Sequence, residues 1–158
     1  LLANSLTSLS ELALINLIRQ STLAYPALSA LHILGIALLL GNILLLDLRL
    51  LGVLRQSALS DLFKLFSRLA GIGLLLAIGS GVLLFSVQPL QYLSNQAFLL
   101  KMLLLALALL NLLIVHLSRA WQQACSGGPV SNSLKLTAAS SLLLWLTILF
   151  AGRWIAFV

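Results

Sequence analysis

The sequence predicts an all-α integral membrane protein: a four-helix bundle preceded by an amphipathic helix lying in the membrane interface. Three observations carry that prediction. First, 61% of the 158 residues are hydrophobic, only 8% are charged, and the mean hydropathy is +1.15. Soluble domains carry roughly 25% charged residues, and a chain so poor in charge cannot cover a surface facing water. Second, four apolar runs of spanning length are separated by short polar stretches rich in Gly, Pro, Ser and Gln. Third, Gly73, Ala77 and Gly81 recur every fourth residue within the second run, a small-xxx-small pattern that lets a neighbouring helix approach closely.

The interfacial helix is expected over residues 8–23. Ser8 and Glu11 have capping-box spacing, and Glu11 and Arg19 suit the helix dipole. Leu9, Leu12, Ala13 and Leu17 share one face, while Ser10, Asn16, Arg19 and Gln20 keep the other polar. The run before Pro26 is too short to span, so it lies in the interface.

Span one is expected over residues 25–48, with Pro26 in the first turn, where its missing N–H costs nothing. "GVLRQSALSDLFK" is a turn in which Ser60 or Asp61 can cap span two, expected over 63–87. "QPLQYLSNQ" turns the chain into span three, expected over 97–121, with Tyr92 at interface height. "QQACSGGPVSN" is the longest loop, and its Gly127-Gly128-Pro129 breaks any helix before span four, expected over 134–157. Thr137, Ser140, Thr147 and Ala151 form a weakly polar stripe on span four that is expected to face the bundle. The whole chain reads as a single transmembrane domain.

Four antiparallel spans place both ends of the chain on one side, here the terminal side. Arg49, Arg55, Lys64, Arg68, Arg119 and Lys135 gather on the opposite, basic side, against Arg19, Lys101 and Arg153 on the terminal side. The positive-inside rule makes the basic side cytoplasmic and the termini periplasmic in a bacterial inner membrane. The net charge of +6 is thereby explained by orientation and anionic lipid, and no nucleic-acid motif accompanies it. The single cysteine, Cys125, excludes an internal disulfide. No basic n-region with a cleavage site opens the numbering.

Polar residues within apolar spans are expensive and mark function. His32 falls two turns from the terminal side on span one; His116 falls near the basic side on span three. Parallel spans with a rise of about 1.5 Å per residue separate the two in depth by roughly 15–20 Å. The pair is poorly placed to ligate one haem and fits two separate stations better. Near the terminal side, Lys101 and Arg153 share the depth of His32, with Tyr25, Tyr92 and Asn95 just above. Such a pocket suits an anionic group such as a haem propionate or a quinone oxygen. His32, Lys101 and Arg153 are therefore the candidate cofactor-binding residues, and His32 and His116 the candidate metal ligands. Asp47 is the single acid within a span and is expected to pair with Arg49, Arg68 or His116, the Asp47–Arg49 pair being read as a structural ion pair that locks the end of span one. Asn42 is expected to bind a neighbouring helix. Met102 and Cys125 stand apart and make no soft copper site. With no C-x-x-C-H, no H-E-x-x-H and no phosphate loop, nothing argues for catalysis by this chain.

The fragments "YPALSALHILGIALLLGNILLLDLRLLG", "GVLLF", "FLLKMLLLALALLNLLIVH" and "AGRWIAF" occur in this order. Together they resemble an uncharacterised bacterial family of small four-span inner-membrane proteins. The shared features are a YP-x5-H start, DLRLLG closing span one, F-x2-K opening span three and a final GRWIA. The resemblance implies that His32, Asp47, Arg49, Lys101, Asn111, His116 and Arg153 occupy family motif positions. It brings no activity with it. A weaker architectural likeness is to copper-resistance D-type membrane domains, from which the chain departs in lacking methionine clusters.

The expected function is a small non-catalytic membrane subunit that anchors or serves a redox or metal-handling complex. Its partners would be membrane or periplasmic proteins, and it would bind haem b, quinone or a metal through His32. One alternative is a copper or other metal-ion transporter with stations at His32 and His116. Another is a purely structural membrane subunit.

Overall fold

The computed structural model describes residues 13–54, 60–126, 128–155 and 157. Its elements are α1 (Ala13–Gln20), α2 (Ala24–Leu50), α3 (Ser60–Val87), α4 (Pro89–Ser94), α5 (Gln96–Leu117), α6 (Arg119–Cys125) and α7 (Asn132–Trp154). Among the described residues, α2, most of α3, α5 and α7 are long and apolar enough to cross a membrane. The proposed capping box at Ser8 and Glu11, and the caps offered by Ser60 and Asp61, lie outside the described side chains.

The four long helices form a curved row in the order α3, α2, α7, α5, with α2 against α3, α7 against α2, and α5 against α7. The closest approach is α2 on α3. A Cβ added to Gly35 would stand 2.7 Å from the Ala77 amide nitrogen, and one added to Gly73 would stand 2.5 Å from that of Leu39. Only hydrogen fits at either position. The small-residue repeat on span two is therefore an interface, and its partner is the glycine of "HILG" on span one. One core cluster, Leu39, Ile43, Ala70, Ala108, Trp145 and Ile148, joins all four helices at mid-height.

Helix ends follow local chemistry. After α2, Gly52 adopts φ +82°; its N–H bonds the Arg49 carbonyl at 3.0 Å, and the Val53 N–H bonds that of Leu48 at 3.0 Å. This is the paired Schellman closure, and it explains the glycine that ends "DLRLLG". Asn95, Ser118 and Ser131 cap α5, α6 and α7 by accepting from the N–H groups of Phe98, Trp121 and Leu134.

Two boundary expectations and two side-chain expectations are corrected. The loop before span three contains a helical turn, α4, opened by Pro89 in its first position. Span three ends at Leu117, not at Trp121. Ser118 leaves the helix with ψ 142°, donates to the Val115 carbonyl at 2.7 Å and starts α6, which folds Trp121 under the bundle. The stripe on span four faces inward only in part: Thr137 and Ala151 are half-buried, and Thr137 lines a cavity inside the bundle. The buried face of α7 is Leu134, Ala138, Ser141, Trp145 and Ile148, whereas Ser140 and Thr147 are exposed. Their hydroxyls bond carbonyls of their own helix, Thr137 at 2.9 Å and Leu143 at 2.7 Å, so they carry no unmet polar group into lipid. Asn42 behaves likewise: it is buried, and its Nδ2 donates to the Leu38 carbonyl of its own helix at 2.6 Å rather than to a neighbour.

The short helix α1 stays close to the bundle. Arg19 donates to the Val87 carbonyl at 3.1 Å, placing its cation on the C-terminal end of α3, where the helix dipole favours it.

Candidate functional site

At the terminal side, His32 projects from α2 onto α3. Its Nδ1 lies 3.0 Å from Ser80 Oγ, and a Cβ on Gly81 would meet His32 Cε1 at 3.0 Å. The glycine thus clears the seat of the ring. The Ser80 hydroxyl donates to the Leu76 carbonyl at 2.5 Å, so its oxygen has a lone pair rather than a proton for His32. Nδ1 is then the protonated nitrogen of the neutral ring, and Nε2 is the acceptor.

Lys101, on α5, runs along α7, its Nζ 3.4 Å from where a Cβ on Gly152 would stand. Its charge is felt at His32, but the two side chains lie on different neighbours: Lys101 on Gly152 of α7 and His32 on Ser80 and Gly81 of α3. Arg153 is exposed, with its guanidinium 4.8 Å from the centre of the Phe157 ring. It is turned onto an aromatic side chain of its own segment, the posture of a snorkelling cation. Above them, Phe85, Tyr92 and Phe98 cluster, with Phe85 and Phe98 stacked at 5.7 Å. Asn95 Nδ2 bonds the Ile155 carbonyl at 3.2 Å, tying the α4–α5 turn to the end of α7. Burial, followed by the neighbouring Tyr25, pushes the Tyr92 hydroxyl above its ordinary pKa.

The basic side is built differently. Arg49 lies over the Phe63 ring at 4.9 Å, Phe63 meets Trp121 at 4.9 Å, and Trp121 meets His116 at 4.5 Å. One continuous stack thus joins α2, α3, α6 and α5. The His116 Nδ1 donates to the Leu112 carbonyl at 2.9 Å. A carbonyl can only accept, so Nε2 is again the nitrogen left with a lone pair.

Beside this stack, Asp47, Asn111, His116, Thr137 and Ser141 line a cavity of about 40 Å³ whose remaining wall is apolar. Asp47 is 6% exposed, and its Oδ2 is buried with no hydrogen-bond partner. The expected Asp47–Arg49 ion pair does not satisfy this oxygen. Residues two apart on a helix point to nearly opposite faces; Asp47 turns inward, while Arg49 turns onto Phe63. The side-chain donor that reaches the carboxyl group is Ser141 of α7.

The two histidines stay apart. His32 sits on Gly81 of α3, whereas His116 reaches Trp121 and, through it, Phe63 at the other end of α3. Positions 63 and 81 are about 27 Å apart along a helix rising about 1.5 Å per residue. Among the described residues, no group of three or more His, Cys, Asp or Glu side chains comes together. Ser80 at His32 and Ser141 at Asp47 are neighbours that no local sequence pattern links to them.

Fold and composition thus define a multi-pass, all-α membrane protein with one polar seat near each end of its bundle. The chain matches the model of the family of unknown function DUF6644 over residues 9–158, and it belongs to that family. No curated protein and no solved structure matches it.

Proposed function

We propose that this protein is a small, non-catalytic inner-membrane subunit that anchors or serves a redox or metal-handling complex, with His32 as its ligand residue. The observation that carries the reading is the way His32 is held. A ligating histidine generally donates its other ring N–H to a fixed acceptor, which sets the tautomer and aims the lone pair. Ser80 is such an acceptor at Nδ1, and Lys101 adds a positive charge whose field reaches the ring. That charge suits a propionate or another anionic group. With His116 at the other end, one chain offers one axial ligand for haem b, and the second ligand would come from a partner subunit or a second copy. This is a reason to favour a subunit over a self-contained cytochrome. The orientation we propose, basic side cytoplasmic and termini periplasmic, puts His32 within reach of periplasmic partners.

The rival is a two-station copper path from His32 to His116. It has one supporting observation: both rings keep Nε2 for a ligand. Against it, Met102 and Cys125 lie on separate elements and make no cluster of soft sulfur ligands.

Purification in mild detergent, followed by a visible spectrum and metal analysis, tests the proposal. A Soret band is expected, lost in His32→Ala and shifted or weakened in Ser80→Ala. Stoichiometric copper without a Soret band would favour the transport reading. The absence of both, with His32→Ala folding normally, would leave the protein a structural subunit.

A further inference from the structure

The cavity on the basic side is independent of His32 and makes a chemical demand of its own. Apart from Ser141, whose hydroxyl reaches the Asp47 carboxyl group, its polar lining presents acceptors. The Asp47 Oδ2 is bare. His116 has spent Nδ1–H on Leu112. Asn111 Nδ2 donates to the Thr137 carbonyl at 3.2 Å, and the Thr137 hydroxyl donates to the Leu134 carbonyl at 2.9 Å. These protons go to backbone carbonyls, and the lone pairs of Asp47, His116, Asn111 and Thr137 remain. An acceptor-rich pocket with a carboxyl group at its base calls for a cation.

Size narrows the class. A water needs about 10–15 Å³ measured in this way, so about 40 Å³ holds an ion with a water or two. It excludes a haem or a quinone ring. The imidazole narrows it further: Mg²⁺ and Ca²⁺ take oxygen ligands in sets of six or more, whereas imidazole with carboxylate suits first-row transition metals. Access is available, because His116 is exposed while Asp47 is buried, which places the histidine at the mouth and the carboxyl group at the floor. His116 is also held on two sides, by Leu112 and by the Trp121 ring.

We propose that this cavity binds one divalent transition-metal ion, with Asp47 and His116 as its protein ligands and the Asn111 amide oxygen and water completing the shell. Two strong ligands make an exchangeable site rather than a closed structural one. The buried, half-satisfied carboxyl group is the cost of keeping the site ready, because an unpaired polar atom in a bundle core destabilises the fold.

The test uses the full chain in detergent, stripped with a chelator and titrated with Co²⁺, whose visible ligand-field absorption reports nitrogen and oxygen ligation. About one Co²⁺ per chain is expected, with affinity falling at least tenfold in Asp47→Asn and in His116→Gln and unchanged in His32→Ala. That last control separates this site from the proposed His32 ligand. Without metal, Asp47→Asn should unfold at the same temperature as the parent or higher, and Zn²⁺ should raise the unfolding temperature of the parent but not of the variant. Co²⁺ absorption equal in the parent and Asp47→Asn would overturn the proposal. So would a marked loss of metal-free stability in Asp47→Asn, which would make the residue a packing anchor.

Discussion

At the scale of single residues, each polar side chain in this bundle is decided by where its hydrogens go. His32 was legible as costly from its apolar surroundings, but Ser80 as its support was not, because the two are 48 positions apart and no local pattern links them. Asp47 was legible as a buried acid. The base nearest it in sequence, Arg49, turns onto Phe63, because residues two apart lie on nearly opposite faces of a helix. Cys125 offers a direct check on the packing of the basic side. Burial pushes its thiol above its ordinary pKa, and the nearby cations Arg49 and Lys64 only partly offset that. A raised pKa keeps the thiol protonated, and so unreactive, until higher pH. The rate of maleimide or iodoacetamide labelling should therefore reach its midpoint above the pH found for a free thiol. In Trp121→Ala, which opens the cluster packed against Cys125, labelling at neutral pH should accelerate. Equal rates for Cys125 and a free thiol at every pH would contradict this packing.

At the scale of elements, the spans were readable because leucine-rich runs of spanning length have few alternative fates in a membrane. What faces what was less readable. On α7 the hydroxyl residues looked like an inward stripe, but hydroxyls that bond the preceding turn are as comfortable against lipid as against protein. The break at Ser118 was invisible to hydropathy, since the apolar run continues past it to Trp121. The glycine repeat was the reliable signal, and its geometry makes a sharp prediction. At Gly35 a side chain would strike the α3 backbone, whereas at Gly41 nothing lies within 4 Å. Gly35→Leu should therefore force α2 and α3 apart and destabilise the fold by about 1–3 kcal/mol or more, the usual range for an overpacked contact. Gly41→Leu should be tolerated, or slightly stabilising through helix propensity. Thermal unfolding in detergent, followed by size-exclusion recovery, compares the two. Similar losses would mean that the tight α2–α3 crossing does not govern stability.

At the scale of the whole molecule, few residues of each span are fully buried. The buried share of the most apolar window runs from 11% in α5 to 28% in α7. So thin a row of helices presents wide apolar faces to lipid or to partner subunits. Its two ends differ in kind: the terminal side carries the Tyr92 aromatic cluster and His32, and the basic side carries the Arg49–Phe63–Trp121–His116 stack and the acid-floored cavity. Which end faces the cytoplasm therefore decides which compartment each seat can sample. The proposed orientation rests on the charge asymmetry, with Arg49, Lys64, Arg68, Arg119 and Lys135 on the basic side against Arg19, Lys101 and Arg153 on the terminal side. In a Cys125→Ser background, Ser94→Cys reports the terminal side from the end of α4, and Ser131→Cys reports the basic side from the cap of α7. Both native residues are exposed, so access depends on the compartment and not on burial. A membrane-impermeant maleimide added to intact cells, after the outer membrane is permeabilised, should label Ser94→Cys and spare Ser131→Cys until the inner membrane is opened. The reverse pattern would invert the assignment. The Asp47–His116 cavity would then open to the periplasm, and His32 would serve the cytoplasmic side.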